Sequence, residues 1–216
     1  MPASAEILAH ARAFVKQELA RDSSGHDWWH ISRVTHTTLE IARHENADLF
    51  VCELAALLHD IADEKLNASK AAGMQKVKSW LEENQVPEKA AAHVLEIIST
   101  MSYNGGHNQP MKTLEGKVVQ DADRLDALGA IGIARTFAYG GHKGHLMHNP
   151  ALAVRAEMTP EEYRNAESTP INHFYEKLLK LKNLMNTAYG KKLAAERHAY
   201  MENFLEQFYQ EWEGKR

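Results

Sequence analysis

The residues most suited to chemistry are a histidine and an aspartate, His59 and Asp60, which interrupt an apolar run over residues 54–65. Leucine and isoleucine recur there at helical spacing, which predicts an amphipathic helix with its apolar face in a core. A buried polar group without a partner costs about 2–7 kcal/mol even when it is neutral. We therefore expect both side chains to be hydrogen-bonded or bound to a metal ion.

Two further carboxylates follow this pair along the chain. If the helix continues, Asp63 lies four residues after His59 and Glu64 four residues after Asp60, so that all four side chains project toward one sector. Three carboxylates and one imidazole so close together predict a cation site.

A second group lies earlier in the chain, where Asp27, His30 and Arg33 are three residues apart. This spacing places them on one face of a predicted helix. Asp27 either caps that helix or orients the His30 ring, and the sequence leaves both interpretations open.

A third group lies on a later predicted helix, where Asp123 and Asp126 share a face. Asp121 points elsewhere, because two residues turn a helix by about 200°. Asp121 or Asp126 could replace Asp123 at a site if the helix had a different register.

One histidine, a His-Asp pair and a later aspartate on three separate helices resemble the H…HD…D pattern of the HD-domain superfamily of metal-dependent phosphohydrolases. The surrounding sequences strengthen the resemblance: His-Asp-Trp-Trp-His-Ile-Ser-Arg-Val around His30, Gln-Asp-Ala-Asp-Arg-Leu-Asp-Ala-Leu-Gly-Ala-Ile-Gly around Asp123, and the later His-Phe-Tyr-Glu-Lys-Leu-Leu-Lys-Leu. They are similar to a bacterial subgroup that includes nucleoside-triphosphate pyrophosphohydrolases. The resemblance covers most of the chain from about residue 25 onward.

The resemblance implies that His30, His59, Asp60 and Asp123 bind one divalent cation. Two imidazoles and two carboxylates suit Mn²⁺, Mg²⁺, Fe²⁺, Co²⁺, Ni²⁺ or Zn²⁺, and we favour Mn²⁺ or Mg²⁺. Family members with two metals carry extra histidines between the HD pair and the last aspartate. His93 and His107 lie in that interval in contexts unlike the two-metal motifs, so we predict a single ion.

The resemblance also implies roles for charged side chains near the site. Asp63 and Glu64 occupy the places where alarmone-hydrolysing members carry a catalytic Glu-Asp pair, and the reversed order here leaves open which is base and which is acid. Cations that could bind the phosphates of a substrate are Arg33, Lys65, Arg135 and Lys177, with Arg124 and Lys180 as further candidates.

The favoured function is hydrolysis of a nucleoside or deoxynucleoside triphosphate to a monophosphate and pyrophosphate, and this substrate follows from the resemblance alone. A 5′-nucleotidase or another phosphomonoesterase would use the same metal ligands. A nucleotide-sensing protein that binds without turnover is an alternative from another class. A diiron oxygenase built on the same helices would need the additional histidines as ligands.

The periodicity predicts an all-α fold, and the resemblance implies that residues 1–216 form a single HD domain. Its metal-binding core would cover about residues 25–138, and C-terminal helices over residues 170–214 would pack on that core. One long helix is expected from Thr113 to Phe137, with Gly129 and Gly132 serving close helix packing. The glycine- and proline-rich stretch 139–169 is expected to be a long loop, with a short helix near 160–165, and to act as a lid.

Composition limits the classes of partner. The 216 residues carry a formal net charge of −4, which gives no general attraction for nucleic acid polymers or anionic membranes. Cys52 is the only cysteine, so no internal disulfide forms. The amino terminus does not resemble a secretory signal, and no apolar run approaches the ~18 residues of a membrane span. We expect a cytoplasmic protein with a phosphorylated small-molecule substrate; a homodimer is left open.

Overall fold

The computed structural model of the protein describes residues 2–20, 27–64, 66–101, 110–155 and 168–215. These residues form helices joined by turns and irregular segments, and they contain no strand, which confirms the predicted all-α class. In chain order the elements are α1 (Ser4–Glu18), α2 (Trp28–Glu45), α3 (Leu49–Leu58), the 3₁₀ helix η1 (His59–Ala62), α4 (Lys70–Glu83), α5 (Glu88–Thr100), α6 (Leu114–Asp126), α7 (Gly129–His142), α8 (Pro170–Glu176), the 3₁₀ helix η2 (Leu178–Leu184) and α9 (Ala188–Trp212).

The chain divides into two compact units, Met1–Ala122 and Asp123–Arg216. In the first unit, α3 contacts α1, α2 and α5, while η1 contacts α4. Residues 51–58 of α3 are all buried, as expected for a helix that is apolar on nearly every side. Its start is fixed by Asp48, whose Oδ1 accepts hydrogen bonds from the backbone N–H groups of Phe50 at 2.9 Å and Val51 at 3.1 Å. This buried helix leads directly into η1.

In the second unit, α9 contacts α7 and η2, and α8 contacts α7 and η2. The helices meet through aromatic rings: Phe137 of α7 and Phe174 of α8 lie with centroids 6.3 Å apart, and Phe174 stacks on Phe204 of α9 at 5.8 Å. Pro170 is the first residue of α8, as the sequence predicted, and Thr169 caps that helix.

The prediction of one continuous helix from Thr113 to Phe137 is wrong, because the helix is interrupted between α6 and α7. Gly129 has φ +71°, a left-handed conformation that glycine adopts without the strain of a side chain. A Cβ on Gly132 would lie 2.2 Å from the carbonyl oxygen of Ala127. Gly132 is therefore needed because it lies against the backbone of the turn between α6 and α7, and packing between helices is not the main reason for this glycine.

The predicted loop over residues 139–169 begins later than expected, since α7 continues to His142. The segment that follows is tied to α8: the N–H of Ile171 donates to the carbonyl of Met147 at 3.3 Å, and the Asn172 amide donates to that of Leu152 at 3.0 Å. The predicted short helix near 160–165 lies outside the described residues. The role as a lid stays a prediction, as does the single domain over 1–216.

No helix within the described ranges is both long enough and apolar enough to cross a membrane.

Candidate metal centre

Three side chains from α2 and η1 converge within the first unit. His30 lies on α2, His59 and Asp60 lie on η1, and they are 3%, 7% and 7% exposed. His30 Nε2 is 3.4 Å from Asp60 Oδ2, and His59 Nε2 is 3.3 Å from Asp60 Oδ1. Each carboxylate oxygen therefore faces one imidazole, and potential ligand atoms of the three residues lie within 4.8 Å of one another.

The position of His30 is set by the first turn of α2. Asp27 is the N-cap of this helix, and its side chain accepts a hydrogen bond of 2.8 Å from the backbone N–H of His30. The cap interpretation of Asp27 is thus confirmed. The hydrogen bond also fixes the backbone of the residue whose ring reaches the site.

The orientation of the His59 ring follows from a hydrogen bond to the preceding helix. Its Nδ1 lies 2.8 Å from the carbonyl oxygen of Ala56, which can only accept. Nδ1 therefore carries the proton in the neutral ring, and the lone pair of Nε2 is directed toward the Asp60 carboxylate. Two electron-rich atoms 3.3 Å apart repel each other unless a proton or a cation stabilises them.

The donor set fits a divalent metal ion. Neutral imidazole nitrogens and carboxylate oxygens are ligands for first-row divalent cations. An Nδ1–H bond to a backbone carbonyl is the usual means of fixing the tautomer of a metal-binding histidine. Within the described ranges, this trio is the only cluster of three or more His, Cys, Asp or Glu that could hold an ion.

The carboxylates after the HD pair are not in the helical register that the sequence predicted. The 3₁₀ helix ends at Ala62, and Asp63 is extended with φ −63° and ψ 137°. The assumption that Asp63 and Glu64 lie one helical turn from His59 and Asp60 is therefore wrong. Asp63 is half-buried and Glu64 is exposed. Their catalytic roles stay predictions.

Two residues that the sequence analysis did not single out support η1. Both Asn67 Nδ2 hydrogen bonds go to backbone carbonyls, of Ile61 and of Asp63, each at 2.8 Å. Gly73 of α4 lies so close to Ala62 that a Cβ would be 2.6 Å from the Ala62 carbonyl oxygen. A glycine inside an otherwise good helical pattern is the signal that could have identified the second of these contacts.

The aspartates of α6 differ in their surroundings. Asp123 is half-buried, and Asp121 is fully buried. Asp126 forms an ion pair with the guanidinium of Arg135. His30, His59 and Asp60 belong to the first unit and Asp123 begins the second, so the role of Asp123 as a fourth ligand stays a prediction.

The predicted phosphate-binding cations lie in varied places. Arg33 is half-buried on α2, three residues after His30. Lys177 is half-buried at the junction of α8 and η2. Lys65 lies outside the described residues.

Two arginines predicted to contact the substrate have protein partners. Arg135 binds Asp126, and the Arg124 guanidinium donates to the carbonyl of Leu184. Contact with a substrate stays a prediction for each of the cations.

The two histidines weighed for a second metal ion also differ. His93 Nε2 lies 3.7 Å from Glu115 Oε2, and His107 lies outside the described residues. The single ion stays a prediction.

Comparison with known proteins agrees with the motif. A family model described as HD domain matches residues 28–128, a range that contains His30, His59, Asp60 and Asp123. The uncharacterised protein YpgQ of Bacillus subtilis (strain 168) is 40% identical over 198 residues, which cover 91% of this chain and 89% of that protein.

Solved structures show the same fold. A structure of an HD-superfamily hydrolase from Bacillus thuringiensis has a TM-score of 0.79 and 51% identity, covering 98% of this chain and 99% of that one. The structure of B. subtilis YpgQ in complex with ADP has a TM-score of 0.78 and 36% identity, covering 96% of each chain.

Proposed function

This chain belongs to the HD-domain family of metal-dependent phosphohydrolases, and on that premise we propose that it hydrolyses a nucleoside or deoxynucleoside triphosphate to the monophosphate and pyrophosphate. The observation that carries the proposal is the convergence of His30, His59 and Asp60 in a buried cluster whose ligand atoms lie within 4.8 Å of one another. Such a cluster is stable at neutral pH when a cation offsets the carboxylate charge.

His30, His59 and Asp60 would hold one divalent ion, Mn²⁺ or Mg²⁺ being favoured, with Asp123 as the fourth ligand by family resemblance. When bound, such an ion polarises a phosphoryl oxygen and lowers the pKa of water. Asp60 supplies the negative charge, and the imidazoles supply neutral nitrogen ligands.

The remaining steps fall to residues that bind the substrate and move protons. Arg33, one turn from His30, is placed to bind a phosphate oxygen with a charge that does not titrate. Asp63 or Glu64 would accept the proton of the attacking water or deliver one to the leaving group. Asp63 is the better candidate of the two, since it is half-buried and directly follows η1, whereas Glu64 is exposed.

A nucleotide is the favoured ligand class because the relative YpgQ has been solved in complex with ADP. A diphosphate-containing ligand on a protein of this similarity supports a polyphosphate substrate.

The test is a panel of nucleoside and deoxynucleoside mono-, di- and triphosphates with Mn²⁺ or Mg²⁺. We expect pyrophosphate release from a triphosphate. His30→Ala should reduce kcat by at least about 10²-fold, because one ligand of the cluster is lost. His36→Ala is the matched control, since His36 is an exposed histidine of the same helix, and it should leave the rate unchanged.

Other outcomes identify other functions. Orthophosphate release from monophosphates would indicate a 5′-nucleotidase. Tight nucleotide binding without product would indicate a sensing protein. Two iron ions per chain would indicate an oxygenase. No activity and no binding across the panel would refute a nucleotide substrate.

A further inference from the structure

The chain changes direction immediately after the HD pair, at the point where Asp63 leaves η1. A helix ends there with carbonyl groups that have no intrahelical partner. The carbonyl of Asp60 accepts the N–H of Asp63 at 3.0 Å, and the carbonyls of Ile61 and Asp63 need donors from beyond the helix.

A single side chain satisfies both of these carbonyls. The amide nitrogen of Asn67 lies 2.8 Å from the Ile61 oxygen and 2.8 Å from the Asp63 oxygen. A carboxamide has two N–H donors, so each hydrogen serves one carbonyl. The N–H of Leu66 also donates to the Asp63 carbonyl, at 3.1 Å, and the turn closes on itself.

These contacts fix the backbone on both sides of Ala62. Bridging residues 61 and 63 sets the ψ angle at which the helix gives way to extended chain, and with it the direction in which the Asp63 side chain departs. Ala62 itself packs against Gly73 of α4, where a Cβ would lie 2.6 Å from the Ala62 carbonyl oxygen. The chain that follows His59 and Asp60 is thus held from two directions.

We propose that Asn67 is a positioning residue for hydrolysis, which holds the backbone of Asp63 so that its carboxylate is available for proton transfer. This inference rests on the proposed function. A displacement of about 1 Å of a reacting group can cost about 10²-fold in rate, so a side chain that contacts neither metal nor substrate can still control kcat.

Three substitutions separate this role from a general loss of stability. Asn67→Asp replaces the amide nitrogen and both its N–H donors by an oxygen that only accepts and would face two carbonyl oxygens. Asn67→Ala removes the bridge, and Asn67→Gln keeps the amide on a longer stem. We expect Asn67→Asp to lower kcat by about 10- to 100-fold, with KM and the Mn²⁺ affinity changed by less than about threefold. Asn67→Gln should recover part of the rate. Asn203→Asp, on the exposed face of α9, is the matched control and should behave as the wild type.

A double-mutant cycle tests whether Asn67 acts through Asp63. If it does, Asp63→Asn with Asn67→Asp should be no slower than Asp63→Asn alone, because contacting positions are non-additive when one acts through the other. Additive losses, an unchanged kcat in Asn67→Asp, or equal losses in rate, metal affinity and thermal stability would each overturn the inference. Should Asn67→Asp not fold, the same cycle is run with Asn67→Ala.

Hydrogen exchange over residues 59–67 gives a readout that does not depend on activity. Asn67→Ala should raise the exchange rate there and leave α9 unchanged. A wild-type protein inactive on every nucleotide refutes the proposed function and with it the role of Asn67 in positioning Asp63 for hydrolysis, while the exchange measurement still reports the bridge. An active wild type with a fully active Asn67→Asp refutes the positioning role alone.

Discussion

A buried carboxylate in the second unit shows how single residues keep or lose their charge. Glu176 is 3% exposed, and Arg155 binds it through two side-chain hydrogen bonds of 2.8 Å while Ser168 donates a third at 2.9 Å. Burial by itself would raise the pKa of the Glu176 carboxyl, but the hydrogen bonds from Arg155 and Ser168 outweigh it and hold the pKa below its ordinary value. Glu176 therefore stays ionised and ties the chain on both sides of residues 156–167 to α8.

His173, also on α8, is kept neutral by its surroundings, whereas Glu176 is kept charged. The pKa of His173 is lowered from 6.5 to about 4, chiefly because burial disfavours the charged ring; the positive charges of Lys177 and Arg155 contribute to this decrease, and the carboxylate of Glu176 opposes it. Because the unfolded chain binds this proton near pH 6.5 and the folded chain does not, the stability from His173 is complete above that pH and is lost as the pH falls toward 4.

We predict that the free energy of unfolding falls by at most about 3 kcal/mol between pH 7 and pH 4 through His173. Urea unfolding at a series of pH values measures this dependence. His173→Gln should flatten the curve between pH 6.5 and 4, whereas His36→Gln should keep the wild-type slope. The contribution of Glu176 to the free energy of unfolding is lost only at lower pH, below the pKa of about 4.3 that the carboxyl has in the unfolded chain. An unchanged slope in His173→Gln would contradict the prediction.

For single residues, the sequence predicted which side chains cluster better than it predicted where each of them lies. His59 and Asp60 stand out because polar side chains in an apolar run need partners, and the structure shows them facing His30. The placement of Asp63 was wrong because a 3₁₀ ending and the Asn67 bridge depend on contacts that helical periodicity does not encode. Likewise, no pattern in the sequence distinguishes Asn67 from any other asparagine in a turn.

Among the elements, η1 depends on its contact with α4. This 3₁₀ helix, which carries His59 and Asp60, is short and cannot be stable alone, so its position is set by the helix packed beside it. Gly73 is buried in α4, where glycine costs about 1 kcal/mol of helix propensity relative to alanine. That cost is offset by the close approach to Ala62.

We predict that Gly73→Ala destabilises the protein by about 1–3 kcal/mol, the usual cost of overpacking, and weakens Mn²⁺ binding because η1 must move. Gly141→Ala is the matched control: Gly141 is also helical, and a Cβ there would meet nothing within 4 Å. It should be neutral or stabilise by up to about 1 kcal/mol. Chemical unfolding and Mn²⁺ titration measure both effects, and equal behaviour of the two variants would refute the role of Gly73.

The break between α6 and α7 shows why element boundaries were harder to predict than element type. Apolar residues keep their helical spacing through the turn, so periodicity continues where the backbone does not. Gly129 adopts φ +71°, and this was the available signal, since glycine after a helix often marks its end. Treating the periodicity as continuous through this glycine produced one helix in place of two.

For the molecule as a whole, metal binding should increase the free energy of unfolding and the Tm. A ligand that binds only the native state stabilises it by about 2.7 kcal/mol at 100 times its Kd. For a chain of this size, such a gain corresponds to an increase in Tm of about 5–10 °C. The net charge of −4 adds a general preference for cations over anions, so selectivity for Mn²⁺ must be tested against Ca²⁺ at equal ionic strength.

The Mn²⁺-dependent increase in Tm can identify which of the three aspartates of α6 is the fourth ligand. We predict that Asp123→Asn abolishes most of the Mn²⁺-dependent increase in Tm, because amide oxygen is a weaker ligand than carboxylate and carries no charge. Asp126→Asn should lower the Tm of the metal-free protein, since Arg135 loses its ionic partner, and keep the increase with Mn²⁺. Asp121→Asn, at a fully buried position, should likewise keep the increase with Mn²⁺. Thermal melts with Mn²⁺ and with EDTA measure all three, and an increase that survives in Asp123→Asn but disappears in either of the others would move the ligand to that aspartate.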